Sequence, residues 1–235
     1  MSFGRTLALS FIHGIFTVIC RVDDGQLERI PSKGPLILVA NHVNFLEVPV
    51  LMTRLSPRPM SVLVKSENWD HFWARKFFEF CNGIPIHRGE TNFKAFYLAK
   101  TALKDEGIVA MAPEGTRSGN GCLQAGRSGI VLLALRSGAP LQPLAYYGGE
   151  KFRDNVKHLR RTDFHIVTGN PFKLNPERAS LSREVRQEIT NEIMYQVAAL
   201  LPPAYRGVYS DLSRARQEYL VFAPGVQSNL LRASD

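Results

Sequence analysis

Leu36-Ile37-Leu38-Val39-Ala40-Asn41-His42-Val43-Asn44-Phe45-Leu46-Glu47 is the stretch on which the fold turns. Residues 36–40 are apolar without a break and follow a turn signal, Pro31-Ser32-Lys33-Gly34-Pro35. A strand covered on one face alternates apolar and polar residues. An unbroken apolar run of this length predicts a strand buried on both faces. Asn41-His42 then breaks the run, and residues 45–55 read as a helix, with Pro49 near its first turn or just beyond. Strand, polar turn and helix together open an α/β unit.

The same alternation continues outward. Strands are predicted over 61–65, 83–87, 108–112, 141–146 and 164–168, and helices over 69–80, 91–104, 129–136 and 182–200. Trp69, Phe72, Trp73, Phe77 and Phe80 share one face of their helix, packing in the core, lining an acyl-chain tunnel or touching the bilayer. Ser182 is a candidate cap for the last helix, and Pro202-Pro203 ends it. The predicted class is α/β, a mainly parallel mixed sheet flanked by helices. Active sites of such sheets collect in the loops after the strand ends. Asn41-His42, His87-Arg88 and Glu114-Gly115-Thr116-Arg117 all fall there.

Upstream, residues 7–22 read LALSFIHGIFTVICRV. The run is too short and too interrupted for a membrane span. It fits a membrane-surface helix ending near Thr17, or an ordinary core-packed one, followed by a short strand over 18–22. The expected division is 1–17 as this helix and 18–235 as one domain. The 235-residue chain is large enough for one sizeable core and carries a formal charge of +8. That balance suits anionic partners. With no zinc-finger spacing, aromatic-basic RNA signature or dense Lys/Arg block, nucleic acid is not among the expected ones. Cys20, Cys81 and Cys122 are widely spaced, show no metal-ligand pattern and are expected as reduced, mostly buried thiols.

Histidine titrates near neutral pH, so His42 in a strand-to-helix turn is able to serve as a general base. It then needs a carboxylate to hold its tautomer, and Glu47 is the candidate. Positions five apart in one continuous helix diverge by about 140°. The pair meets only if His42 lies outside the helix, as it would with Asn44 as N-cap. Asn44 and Glu47 also have the spacing of a capping box, which is a purely structural use of the glutamate. Arg88 beside Gly89 ends a predicted strand and offers a guanidinium fork to a phosphate. In Pro113-Glu114-Gly115-Thr116-Arg117-Ser118, Gly115 permits close backbone approach, Glu114 is able to grip a hydroxyl and Arg117 an anion. Ala139-Pro140-Leu141-Gln142-Pro143 reads as core strand. Arg127-Ser128-Gly129 opens a helix where an anion fits.

In order and spacing these segments resemble the blocks of the glycerolipid acyltransferase family, typified by 1-acyl-glycerol-3-phosphate acyltransferase. Asn41-His42 with Glu47 is similar to the first block, Gly83-Ile84-Pro85-Ile86-His87-Arg88-Gly89 to the second, Pro113-Glu114-Gly115-Thr116-Arg117-Ser118 to the third and Ala139-Pro140-Leu141-Gln142-Pro143 to the fourth. The resemblance covers roughly residues 18–146, and residues 201–209 look like the tails of bacterial members. It implies a glycerolphosphate-acyltransferase-like fold. It also implies transfer of a fatty acyl group from acyl-CoA or acyl-carrier protein to a lysophospholipid hydroxyl, giving phosphatidic acid. The alternatives are another lysolipid or amino-lipid acceptor, or a catalytically impaired lipid-binding protein.

By the same resemblance His42 deprotonates the acceptor with Glu47 behind it. Arg88, Glu114, Gly115, Thr116 and Arg117 hold the glycerol phosphate, and Pro140 and Pro143 lie on the acyl-donor side. No cofactor and no metal are expected, with the thioester as co-substrate. An anionic membrane surface is the expected docking partner, on the cytoplasmic face, with the protein peripheral or monotopic. One departure stands out: the family has aspartate where this chain has Glu47.

Overall fold

Strand burial on both faces requires neighbours that alternate inward and outward, and residues 36–40 show the pattern. Leu36 and Leu38 point into one apolar core, Ile37 and Val39 into the other, and all four are essentially inaccessible. The computed structural model describes residues 3–87, 92–179 and 182–232. In chain order its elements are α1 (Phe3–Ile19), β1 (Cys20–Asp23), β2 (Leu36–Ala40), α2 (Glu47–Leu55), β3 (Met60–Lys65), α3 (Phe72–Phe80), β4 (Gly83–Ile86), α4 (Phe93–Lys104), β5 (Ile108–Met111), α5 (Gly129–Ser137), β6 (Leu141–Tyr147), α6 (Phe152–Lys157), β7 (Thr162–Thr168), β8 (Lys173–Leu174), α7 (Arg183–Ala198), β9 (Leu220–Val221) and α8 (Asn229–Arg232).

Among the described residues the principal sheet has seven strands in the order β1-β7-β6-β2-β5-β3-β4. Strand β2 runs parallel to both neighbours, β5 and β6. Strands β6 and β7 are antiparallel, while β1 and β7 are parallel. The sheet is therefore mixed and mainly parallel, as expected. Helices α1 and α2 cover one face together with the inner side of α3. Helices α4, α5 and α7 cover the other. Chain direction places the carboxyl ends of β2, β5 and β6 at one edge of the molecule, where loops leave the sheet.

Several boundaries differ from expectation. The first helix continues past Thr17 to Ile19, because the pairing Cys20↔Thr162 sets where β1 begins. The predicted helix over 69–80 splits into a 3-10 turn over Ser66–Trp69 and α3. Phe77, Phe78 and Phe80 pack against the core, but Phe72 and Trp73 at its start are exposed. Ser182 does cap α7, its hydroxyl accepting the Val185 N–H. Strand β7 starts earlier than predicted, at Thr162, and α6, β8, β9 and α8 had no expected counterpart.

Helix α1 is two-sided. Leu9 and Phe16 are buried against the α2 side of the fold. Phe3, Leu7, Phe11, Ile15 and Val18 are exposed. Their spacing by three or four residues lines them along one outward stripe. Cys20, Cys81 and Cys122 are all free. Burial pushes the Cys20 thiol up to about 11 and the Cys81 thiol up to about 12, which keeps both protonated at neutral pH.

Candidate active site

The turn after β2 is held from below before it presents any side chain. Asn41, 2% exposed, donates from Nδ2 to the Tyr146 carbonyl at 2.8 Å and accepts the Tyr146 N–H at 2.7 Å. This two-way bond ties the end of β2 to the end of β6 and fixes where His42 begins.

His42 then lies outside the helix, as the spacing required. Its Nδ1 is 2.9 Å from Glu47 Oε2. The other oxygen, Oε1, accepts the N–H of Val43 at 3.1 Å and of Asn44 at 2.7 Å. Glu47 is thus the imidazole partner through one oxygen, and through the other it reaches back to the Asn44 N–H, the only half of the foreseen capping box that is realised. An ionised carboxylate only accepts, so the contact puts the proton on Nδ1 and leaves the Nε2 lone pair free. The His42 side chain is 30% exposed while that of Glu47 is 5% exposed, so the imidazole opens to solvent and its partner does not. The Tyr146 phenol is kept protonated by burial and by Glu47, which raise it well above its ordinary value.

The N-cap differs from expectation. Asn44 does not cap α2, which starts at Glu47. Its Oδ1 accepts the Leu46 N–H at 2.8 Å, and its Nδ2 donates to the Gly149 carbonyl at 2.6 Å. This Asx turn keeps residues 44–46 outside the helix, so that Glu47 at the start of α2 reaches back to His42.

Glu114 meets the same turn from β5. Its Oε1 accepts the His42 N–H at 2.7 Å, and its Oε2 accepts the Gln124 N–H at 2.8 Å. Buried to 2% exposure, its carboxyl is pushed up to about 7 by desolvation, which the two backbone N–H groups and His42 only partly offset. The side chain expected to grip a substrate hydroxyl thus braces the His42 peptide. Gly115 has φ +69, and a Cβ there would lie 3.1 Å from Arg127 Cδ. Thr116 and Arg117 are exposed beside it. Arg127 donates from Nε to the Glu114 carbonyl at 3.4 Å, so a second guanidinium stands at this loop. The Ser118 N–H returns to the His42 carbonyl at 2.8 Å.

The structure brings His42, Glu47 and Glu114 into direct contact and sets Gly115, Thr116 and Arg117 next to them. Arg88 lies outside the described residues. Pro140 precedes β6 and Pro143 lies within it, paired with Val39 and accepting the Gly169 N–H through its carbonyl. Both sit in the body of the sheet, not at the strand ends where His42 and Glu114 meet. The residues missed by sequence reading are Gln124 and Tyr146, and Asn44 was foreseen only as a cap. Gln124 acts through its backbone N–H, so its identity carried no signal. A cavity of about 550 Å³ is lined by Glu188, Glu192, Tyr195, Arg214 and Tyr219, on α7 and the carboxyl-terminal segment, away from this chemistry.

The family model described as acyltransferase matches residues 21–147, a span holding His42, Glu47 and Glu114. A 1-acyl-sn-glycerol-3-phosphate acyltransferase of Bacillus subtilis (strain 168) is 23% identical over 144 residues, 61% of this chain and 70% of that protein. The crystal structure of the 1-acyl-sn-glycerophosphate (LPA) acyltransferase PlsC from Thermotoga maritima is similar in fold. The match has a TM-score of 0.58 at 22% identity, covering 80% of this chain and 77% of that one.

Proposed function

This chain belongs to the acyltransferase family, and we propose that it moves a fatty acyl group from a thioester carrier to the free hydroxyl of 1-acyl-glycerol-3-phosphate, giving phosphatidic acid. The observation that carries the reading is the His42–Glu47 pair at 2.9 Å, braced by Glu114 at the strand ends. The two relatives act on lysophosphatidate by name, which supports that acceptor.

In this scheme His42 Nε2 takes the proton of the acceptor hydroxyl as its oxygen attacks the thioester carbonyl. Glu47 stabilises the imidazolium that forms. Collapse of the tetrahedral intermediate breaks the C–S bond, and the imidazolium returns its proton to the departing thiolate. The pair uses no metal and no redox cofactor, because a base and a good leaving group suffice. Arg117 and Arg127, with Arg88, supply the anion clamp for the acceptor phosphate. Acyl-CoA and acyl-carrier protein are both anionic carriers that suit a chain of formal charge +8.

The lipid acceptor calls for a membrane surface. Among the described residues no helix is long and apolar enough to cross a membrane. The outward stripe Phe3, Leu7, Phe11, Ile15 and Val18 on α1 supports peripheral or monotopic docking on a membrane surface; we propose the cytoplasmic face for that docking.

The test is acylation of an acceptor panel: lysophosphatidate, zwitterionic lysolipids, an amino-lipid and neutral monoacylglycerol, each with palmitoyl-CoA and with palmitoyl carrier protein. Phosphatidate as the dominant product is expected. Turnover of another acceptor in its place replaces the acceptor assignment. Lipid binding with no turnover of any acceptor contradicts the enzymatic reading.

A further inference from the structure

The loop 118–127 does more than follow the Glu114 turn, because it supplies the Gln124 N–H that Glu114 Oε2 accepts. The bonds within the loop stop short of Gln124, with Ser118 Oγ accepting the Gly121 N–H and Asn120 Oδ1 the Cys122 N–H, and no strand or α-helix runs through these residues. The loop is instead fastened from outside, by residues 203–209 of the tail.

The fastening is dense and specific. The Leu123 N–H donates to the Tyr205 carbonyl at 2.9 Å, and the Val208 N–H donates back to the Leu123 carbonyl at 3.2 Å. Gly207, at φ +52, passes so close that a Cβ would lie 2.0 Å from the Leu123 carbonyl oxygen. No side chain is tolerated at that approach without moving one of the two segments. The Tyr205 hydroxyl donates to Glu150 at 2.8 Å, securing the tail to the turn after β6.

Two residues beyond Gln124, the Gly126 peptide is gripped at both ends. Its N–H donates to the Tyr209 hydroxyl at 3.1 Å, and its carbonyl accepts Gln187 Nε2 at 3.1 Å. The Tyr209 hydroxyl in turn donates to Asn191 Oδ1 at 3.2 Å. Tyr209 is buried at 4% exposure, so water is not at hand to replace a lost partner. Gln124 is thus held between two anchors, Leu123 on Tyr205 and Gly126 on Tyr209.

We propose that residues 203–209, through Tyr209 and the Gly207 crossing, form a positioning element that keeps the Gln124 N–H on Glu114 and thereby holds His42 in its reactive place. Tyr209 is a positioning residue, not a catalytic one. It acts through Gly126, Gln124 and Glu114 upon the His42 N–H. The proposal rests on the reading of His42 as the general base, but its structural part is measurable without turnover.

A consequence follows for the carboxyl of Glu114. The groups acting on it are His42 and Glu47 from the turn after β2, the Gln124 N–H from its loop and Tyr209 from the tail, while Arg127 bonds the Glu114 main-chain carbonyl. The Gln124 N–H favours the ionised carboxylate. When that bond is lost the carboxyl must titrate at higher pH.

The experiment follows the Glu114 side-chain carboxyl by carbon NMR across pH, in wild type, Tyr209→Phe and Gly207→Ala, alongside lysophosphatidate acylation. In the folded variants the midpoint is expected to rise by about half a unit or more. The kcat should fall roughly tenfold with little change in the lysophosphatidate KM, as expected for a displaced catalytic group. Glu114→Gln should abolish any further effect of Tyr209→Phe on the pH profile. An unchanged Glu114 midpoint in folded Tyr209→Phe, or activity lowered in equal proportion at every pH, overturns the proposal. A wild type that acylates no acceptor sinks the reaction assignment, while the NMR midpoint still decides the positioning role.

Discussion

Glu47 Oε2 lies 2.9 Å from His42 Nδ1 while Oε1 of the same carboxylate accepts the backbone N–H groups of Val43 and Asn44. A single buried side chain therefore orients the His42 imidazole and shapes the turn that carries it. An aspartate at this position, one methylene shorter, would have to give up one of these tasks unless α2 moved.

Glu47→Asp separates the two tasks. The shorter side chain is expected to keep one set of bonds and lose the other. A displacement near 1 Å in a catalytic group costs about 100-fold, so kcat should fall roughly 10- to 100-fold. Glu47→Gln, which loses the charge, should cost more, up to about 10⁴-fold by comparison with a serine-protease Asp-to-Asn change. Steady-state kinetics on both variants at saturating lysophosphatidate reads the order, and a Glu47→Gln enzyme as fast as wild type contradicts the role.

Glu114 makes stability depend on pH. Burial raises its carboxyl to about 7 from the ordinary 4.5. Between those values the folded state holds a proton that the unfolded state has lost. Stability from this group is therefore full below about pH 4.5 and declines as pH rises through about 7. The linkage amounts to on the order of 3 kcal/mol. Urea unfolding at pH 5.5 and pH 8 should show the decline in wild type, and Glu114→Gln should lack that component. Equal pH slopes in the two proteins would refute it.

Arg117→Ala tests the phosphate clamp. A hydrogen bond to a charged group contributes roughly 1.5–3 kcal/mol, so kcat/KM for lysophosphatidate should fall about 10- to 100-fold. Transfer to neutral monoacylglycerol, however slow, should be nearly unaffected. Equal losses on both acceptors would place Arg117 elsewhere in the mechanism.

Phe11→Asp tests the membrane stripe. Phe11 is 70% exposed, so folding should survive the change, as a thermal melt will report. Removing one apolar side chain from a lipid interface is expected to weaken partitioning roughly 10-fold or more. Sedimentation with anionic vesicles measures it, and undiminished binding moves the docking face away from α1.

Much of this was legible in the sequence because it depends on short-range patterns. Residues 36–40 could only be a strand covered on both faces, and the polar break at Asn41-His42 located the site loop. The antiparallel entry of β7 was not legible, since strand direction is set by partners distant in sequence. Strands β8 and β9 are too short to leave a period. The bond from Glu114 to the His42 N–H was hidden for a different reason. Its partner is a backbone group, which any residue supplies, so no residue type announces it. The same holds for Gln124 and for the grip of Tyr209 on Gly126. The helix start at Glu47, not at an Asn44 cap, arose because an Asx turn competed with the helical one.

The central claim is that His42 is the base of an acyl transfer to lysophosphatidate. The most direct measurement is phosphatidate formation from palmitoyl-CoA and from palmitoyl carrier protein by wild type and by folded His42→Ala. The account predicts product from wild type with at least one donor, and a rate lower by several orders of magnitude in the variant. Comparable rates from the two proteins, or no product from wild type with either donor, would contradict it.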